Sequence, residues 1–201
     1  MKKRLENSEK FAGQCEIESG VTSILAGLQK MFKIDLSEDN FLDTPSRVAR
    51  SYFEILDGYS KVEELDGITE VEFPSSYDGM VIATDIKCFS FCPHHLLPVE
   101  YVVNCAYIPG TKTVGISKLS RVVEILAKRL VLQEVFTVDI VNYLNKHLKP
   151  KGVIAQVRGR HFCMVMRGVK KDSWTITSSL TGIFGDAAVR QEFQSLCANH
   201  L

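Results

Sequence analysis

In its C-terminal part the chain alternates between two kinds of sequence, and their order limits the folds open to it. Four segments are rich in β-branched and aromatic residues, as strands are: 80–91, 101–108, 153–169 and 174–184. Between the second and third of these, residues 117–130 and 132–148 carry apolar side chains at helical spacing. Two strands, two helices and a final hairpin predict an α+β fold around an antiparallel sheet, with helices on one face.

The N-terminal part of the chain is predicted to be helical. Apolar residues recur at helical spacing over 8–34. A second helix is expected to begin near Thr44, because the following Pro45 suits the first helical position. We therefore expect a helical N-terminal region at 1–78, as an extension of a catalytic domain at 79–201.

The composition excludes several classes of function. Lys plus Arg and Asp plus Glu each number 24 among 201 residues, so no net charge attracts nucleic acid. No apolar run follows the basic N-terminus, and no segment approaches the roughly 18 apolar residues of a membrane span. We expect a cytoplasmic protein with no nucleic-acid or membrane partner. Its six cysteines are then thiols or metal ligands rather than a disulfide framework.

Two segments carry residues that suit a metal ion. Cys92 and His95 have the C-x2-H spacing of a metal-binding loop, although a buried cysteine beside a core histidine explains that spacing as often. His161, Cys163 and Arg167 fall at alternate positions, so on a strand they share one face. Burying an imidazole, a thiol and a guanidinium together is costly without a purpose. The even-numbered neighbours 162, 164 and 166 are expected to supply core.

Cys92, His95 and Cys163 form a ligand set that suits zinc, because thiolate and imidazole are borderline-soft ligands. Three protein ligands leave an open position for water, which is the arrangement of a catalytic zinc. His94 and His161 then remain as imidazoles for general acid and base catalysis. The alternative is a structural site in which one of these two histidines is the fourth ligand.

The other cysteines are expected to be packed thiols. Cys88 lies four residues before Cys92 and is an alternative ligand, but a packed thiol is the favoured interpretation. Cys15, Cys105 and Cys197 have apolar neighbours and are interpreted as core residues.

A second constellation suits an anion. Ser117 is predicted to begin a helix, and Lys118 and Arg121 share one face of it. A helix N-terminus with these side chains favours phosphate, while the alternative is a solvated basic face. Arg167 on the predicted metal-bearing face favours the phosphate site. Two arginines of the second helix could add charge: Arg47 and Arg50.

Gln133 and Glu134 are predicted to begin the next helix. A carboxylate next to an amide could bind a guanine edge, because the carboxylate accepts hydrogen bonds from ring and amino N–H groups. The alternative is an acidic residue that favours the positive end of the helix dipole. Neither of the common glycine-rich nucleotide-binding motifs is present.

Taken together, these motifs resemble one family. The order C-x-H-H, G-x-S-K-x-x-R, Q-E and H-x-C-x-x-x-R-G is specific, although no single piece is. It is carried here by CPHHLLP, YIPGTKTVGISKLSRVVEILAKRL, LQE, HFCMVMRGV and TSSLTGIF. From DTPSRVARSYFEIL to RQEF, the chain resembles GTP cyclohydrolase I.

The resemblance implies a tunnelling fold (T-fold), in which the antiparallel sheets of several subunits join into a β-barrel with helices outside. It implies a homodecamer of two face-to-face pentamers, with active sites at subunit interfaces. The implied reaction is zinc-dependent hydrolysis of GTP with release of formate and rearrangement to 7,8-dihydroneopterin triphosphate. That product begins tetrahydrofolate, other pterin or deazapurine biosynthesis.

The resemblance also implies roles for single residues. Zinc falls to Cys92, His95 and Cys163, with His94 and His161 as catalytic imidazoles. The triphosphate and ribose fall to Ser117, which is also expected in the catalytic set, and to Lys118, Arg121, Arg167, Arg47 and Arg50. The guanine falls to Gln133 and Glu134.

Two positions depart from the family pattern. Pro93 stands where the family usually has glutamate, and Val135 stands where it usually has arginine, so each removes a charge near the site. We favour a divergent member with the same reaction. The alternatives are a different purine nucleotide substrate, arrest at a formamidopyrimidine product, or a non-catalytic protein that binds a purine or pterin.

Overall fold

The computed structural model describes residues 2–61, 65, 67 and 72–198. The described helices are α1 (Lys2–Phe32), α2 (Thr44–Ile55), α3 (Ser117–Ala127), α4 (Gln133–Leu148), α5 (Phe162–Val165) and α6 (Ala187–Ala198). The described strands are β1 (Glu72–Pro74), β2 (Val81–Phe91), β3 (Pro98–Ile108), β4 (Lys112–Val114), β5 (Gly152–His161) and β6 (Thr175–Gly182). The chain divides into two compact units, 1–55 and 56–201. The predicted boundary after residue 78 stays a prediction.

The N-terminal unit consists of the two predicted helices. α1 and α2 contact each other, and the Lys10 ammonium lies 5.4 Å from the ring centroid of Phe53. Cys15 on α1 is exposed, so its interpretation as a core residue is wrong for the single chain. Within the described part of the chain, no helix combines the length and apolar character that a membrane crossing requires.

The C-terminal unit is built on the predicted antiparallel sheet. Its strand order is β2-β3-β5-β6, and each neighbouring pair is antiparallel. β1 and β4 form a separate two-stranded sheet. The four predicted strands are therefore confirmed, with the last two paired as the expected hairpin.

Two long helices cover one face of the large sheet. α3 packs on β2, and α4 packs on β5 and β6. The odd-numbered residues of β3 from Val99 to Tyr107 are fully buried in this layer. α6 belongs to a second, smaller cluster of buried residues. In this cluster Phe193 of α6 lies with Ile108 of β3 and Ile154 of β5. Cys88, Cys105 and Cys197 are buried, as expected for packed thiols.

The third predicted strand was too long. β5 ends at His161, and residues Phe162–Val165 form one helical turn in which the Met166 N–H donates to the Phe162 carbonyl at 3.0 Å. The prediction that His161, Cys163 and Arg167 share one face of a strand is therefore wrong. Met166 is 63% exposed and supplies no core. The physical reason is that β3 offers a pairing partner only as far as Val99, which lies opposite His161.

Gly58 provides a test of the packing between the 3-10 turn Asp57–Tyr59 and α3. Its N–H donates to the Lys128 carbonyl at 3.1 Å, and an added Cβ would collide with the backbone oxygens of Ile125 and Lys128. We expect Gly58→Ala to lower the free energy of unfolding by about 1–3 kcal/mol, because the backbones must separate. Denaturant unfolding measures this change.

Gly185→Ala is the matched control, because it also lies in a 3-10 turn but has no atom within 4 Å of an added Cβ. Equal stability of the two variants would show that the turn does not depend on this close approach.

Candidate metal centre and active site

A tight turn at the end of β2 separates the paired histidines. The Cys92 N–H donates to the Leu97 carbonyl at 2.9 Å, and the Leu96 N–H donates to the Cys92 carbonyl at 2.8 Å. Leu96 has a φ of +52°, which closes the turn. The rings of His94 and His95 are 6.3 Å apart and nearly perpendicular, and the Nδ1 atom of each lies 3.9 Å from Cys92 Sγ.

The three predicted metal ligands meet at this turn. One ligand atom from each of Cys92, His95 and Cys163 lies within 4.8 Å of the others, although Cys163 comes from α5 instead of a strand. Cys92 Sγ is 3.9 Å from His95 Nδ1. Over the described residues, this group of mutually close ligand atoms has three members and no fourth. The donor set fits zinc, which binds two thiolates and an imidazole well.

The surroundings of Cys163 favour its neutral thiol when no cation is bound. The pKa of the Cys163 thiol is raised by burial and then by the neighbouring Cys92 sulfur, while Arg167 acts in the opposite direction. A divalent metal ion bound between the two sulfurs would supply the positive charge that favours their thiolate forms. Burial raises the pKa of the Cys88 thiol to about 12, which supports its interpretation as a packed thiol.

A cleft of about 300 Å³ adjoins the ligand group. It is lined by Cys92, Pro93, His94, Val131, Leu132, Gln133, Glu134, His161, Cys163, Met164 and Thr175. The two spare imidazoles and the exposed Glu134 carboxylate thus face the same space as the two thiols. This cleft can hold a small polar ring beside a metal ion and two proton-transferring groups.

The side chain of His161 contacts the first residue of α4. Its Nε2 lies 2.8 Å from Oε1 of Gln133, and its ring meets that of Tyr101 edge-on at 6.2 Å. Burial lowers the pKa of His161, and the Glu134 carboxylate acts in the opposite direction. Burial thus favours the neutral form of the imidazole, which can accept a proton and return it.

Of the residues predicted to bind the triphosphate, only Arg167 lies beside the metal centre within the described part of the chain. Ser117 begins α3 and is exposed, but neither it nor Lys118 nor Arg121 lines the cleft. Arg167 is exposed and its Nη1 lies 2.5 Å from His95 Nε2, at the metal centre. In the N-terminal unit, Arg47 pairs with Asp43 at 3.4 Å, and Arg50 is exposed.

Two residues near the centre were missed by the sequence analysis. Tyr101 is fully buried, and among the described residues its hydroxyl has no hydrogen-bond partner. Thr175 lines the cleft, and its carbonyl accepts from the Gln133 side chain at 2.9 Å. In the sequence, Tyr101 looks like an ordinary strand residue, and Thr175 lies 42 residues from Gln133. Only the pairing of β5 with β3 and β6 shows that both residues lie near the site.

Comparisons with known proteins agree with the motifs. The sequence model of the family GTP cyclohydrolase I matches residues 17–198. Proteins named GTP cyclohydrolase 1 from Brucella canis, Brucella abortus and Brucella suis are 39% identical over 183 residues, covering 90% of this chain and 84% of theirs. A crystal structure of the archaeosine synthase QueF-Like in the apo form covers 52% of this chain and 96% of its own, with 19% identity and a TM-score of 0.42.

Two alanine variants separate a ligand from a proton-transfer group. Cys163→Ala removes one of the three ligands, so we expect it to lose the metal. His161→Ala leaves all three ligands and is expected to keep the metal. Elemental analysis of the purified proteins measures the zinc content. We expect one zinc per subunit in the parent.

Anomalous scattering at the zinc edge provides the second measurement, with Cys88→Ala as the matched control because its thiol is packed away from the ligand group. Equal metal loss in Cys163→Ala and His161→Ala would make His161 a ligand. Four protein ligands in the anomalous map would contradict the open site.

Proposed function

The chain belongs to the GTP cyclohydrolase I family, and we propose that its cleft converts GTP to 7,8-dihydroneopterin triphosphate and formate. Membership of the family carries the tunnelling fold, with which the observed α+β architecture agrees. The observation that carries the reaction is the meeting of the Cys92, His95 and Cys163 donors with spare imidazoles in one cleft. The product is the first intermediate of pterin and tetrahydrofolate biosynthesis.

We assign zinc to Cys92, His95 and Cys163. Bound there, zinc would act as a Lewis acid that lowers the pKa of a water molecule to about 7. Arg167 lies beside His95, where its guanidinium is placed to attract an anionic substrate to the same centre.

We assign proton transfer to His94 and His161. Both line the cleft, and neither belongs to the group of three mutually close ligands. Opening a purine ring and releasing formate requires protons to be delivered to ring nitrogens and removed from water. Two imidazoles on different elements, one in the turn after β2 and one at the end of β5, can serve different atoms of one ring.

Glu134 is assigned to the guanine. Its carboxylate is exposed at the N-terminus of α4 and lines the cleft. A carboxylate accepts hydrogen bonds from both the ring N–H and the exocyclic amine of guanine, which adenine cannot supply in the same pattern. The adjacent Gln133 lines the same cleft.

We propose that the triphosphate site is completed by a second copy of the chain. Within the described residues, the edge strands β2 and β6 of the four-stranded sheet pair with no further strand, although Phe91 at the end of β2 forms an isolated bridge with Leu130. Phe89 and Ile176 on these strands are each 59% exposed. Joining these edges between copies closes sheets into a barrel and covers the apolar surface.

Ser117, Lys118 and Arg121 then serve a cleft to which another copy contributes, and Arg47 and Arg50 are assigned to the same phosphates. The proposed assembly is a decamer of two pentamers. Its cytoplasmic location stays a prediction.

The departures at Pro93 and Val135 differ in their position relative to the cleft. Pro93 lines the cleft, so the missing charge is at the reaction site, whereas Val135 is 47% exposed outside it. The full reaction stays the favoured outcome, and arrest after the first hydrolysis, at a formamidopyrimidine, is the alternative that a missing carboxylate beside the imidazoles would produce.

The assay that tests the function measures two products from GTP. We expect the zinc-loaded protein to release formate in equal amount to a fluorescent pterin formed after oxidation and dephosphorylation. Accumulation of a formamidopyrimidine without formate would indicate arrest, and conversion of another purine nucleotide in place of GTP would indicate a changed substrate. No turnover with any of these, despite bound zinc, would support the binding-protein alternative. Pro93→Glu and Val135→Arg then report whether either departure sets the rate.

Glu134→Gln tests base recognition. The substitution keeps the shape but places an amide donor against a donor of guanine, which costs about 1–3 kcal/mol or more when charge is involved. We expect weaker binding of GTP and unchanged binding of inorganic triphosphate. Calorimetric titration in the His161→Ala background, which slows turnover, measures both ligands.

Two further variants complete that comparison. Glu192→Gln changes an exposed carboxylate on α6 and is the matched control, expected to leave both affinities unchanged. Arg167→Ala is expected to weaken GTP and triphosphate alike. If Glu134→Gln binds GTP as tightly as its parent, Glu134 is only a helix-start carboxylate and the base is held elsewhere.

A further inference from the structure

The side chain of Gln133 is directed into the protein. Its residue is 2% exposed, whereas the neighbouring Glu134 is exposed to the cleft. A buried amide must satisfy its donors and its acceptor inside the chain, because an unpaired buried polar group costs about 1–3 kcal/mol. Its partners therefore decide what the residue does.

These partners determine which end of the Gln133 amide is the NH2 group and which is the oxygen. Nε2 of Gln133 lies 3.1 Å from the Val157 carbonyl oxygen and 2.9 Å from the Thr175 carbonyl oxygen. Carbonyl oxygens only accept hydrogen bonds, so the group that faces both must be the NH2 donor. A flipped amide would place its oxygen against two acceptors.

The other end of the amide then determines the hydrogen on His161. Oε1 of Gln133 lies 2.8 Å from His161 Nε2. Because Oε1 can only accept, His161 must donate from Nε2. A neutral imidazole has one N–H, so its Nδ1 is left with a free lone pair.

Neighbouring residues pack closely around the Gln133 amide and form further hydrogen bonds with it. A Cβ on Gly159 would overlap Oε1 of Gln133 and would lie 2.9 Å from Cε1 of Tyr101. A third acceptor, Thr177 Oγ1, lies 3.1 Å from Gln133 Nε2. Thr137 Oγ1 donates to the Gln133 carbonyl at 2.7 Å and meets Thr177 Oγ1 at 2.6 Å. The amide thus joins α4 to both β5 and β6.

We propose that Gln133 is a positioning residue, which fixes the ring of His161 and holds it as the Nε2–H tautomer through the Oε1 contact. The side chain of Gln133 then acts on the reaction through His161 instead of binding the guanine. The catalytic consequence rests on the proposed role of His161 in GTP turnover.

Gln133→Met in the zinc-loaded protein tests this role, because methionine keeps the length of the side chain without the amide. We expect kcat with GTP to fall about tenfold or more, but by less than the roughly 10²–10⁴-fold loss of His161→Ala. The KM for GTP and the zinc content should be unchanged. Ile140→Val, a buried truncation on the same helix, is the control for lost stability and should keep the parent kcat.

Solid-state ¹⁵N NMR of histidine-labelled protein tests the tautomer directly, with the His161→Ala spectrum to assign the signal. The parent should show a single His161 form with hydrogen on Nε2, and Gln133→Met should show a mixture of tautomers. Gly159→Ala displaces Oε1 from the opposite side and should act in the same direction. It replaces Gln133→Met if that variant does not fold.

Two results would overturn the proposal. One is a parent protein whose neutral His161 carries its single ring hydrogen on Nδ1 instead of Nε2. The other is a Gln133→Met variant with unchanged kcat and raised KM, which would assign the side chain to the substrate. Failure of the parent to release formate from GTP would refute the proposed function alone, because the NMR result still decides the tautomer.

Discussion

The pairing of β3 with β5 decides where the candidate site lies. β3 begins at Pro98, and the ladder with β5 ends where Val99 lies opposite His161. β2 also ends at this edge of the sheet, with Phe91 opposite Pro98. The metal-binding turn, the short helix carrying Cys163 and the N-terminus of α4 are therefore assembled at one end of a rigid sheet. The cleft lies among strand ends and not on a strand face.

Several polar groups at this end form hydrogen bonds with one another across elements. Gln133 brings the backbone of two strands and the ring of His161 into one hydrogen-bonded network. Two thiols and an imidazole converge on a position suited to a cation. Such groups are costly to bury singly, because each would lose its hydrogen bonds with water. Collected together they form a rigid centre, and proton transfer depends on that rigidity because it requires short, fixed distances.

The sequence predicted elements well and boundaries less well. The four strands, both long C-terminal helices and both N-terminal helices are where the periodicity placed them. The long strand through Arg167 failed because β-branched and aromatic composition reports how side chains pack, and carries no information on where a partner strand ends. Cys163 still reached Cys92, since a helical turn after His161 returns the chain to the same edge.

The sequence by itself determined the chemistry that is available: the thiols, imidazoles, carboxylate and guanidinium, and a motif order specific enough to indicate the family. Only the tertiary structure decided which of these groups meet. It directed Gln133 inward to His161 while leaving Glu134 facing the cleft, although the two are neighbours in the chain. The physical reason is that adjacent positions on a helix point in different directions, and packing of α4 on β5 and β6 selects which one is buried.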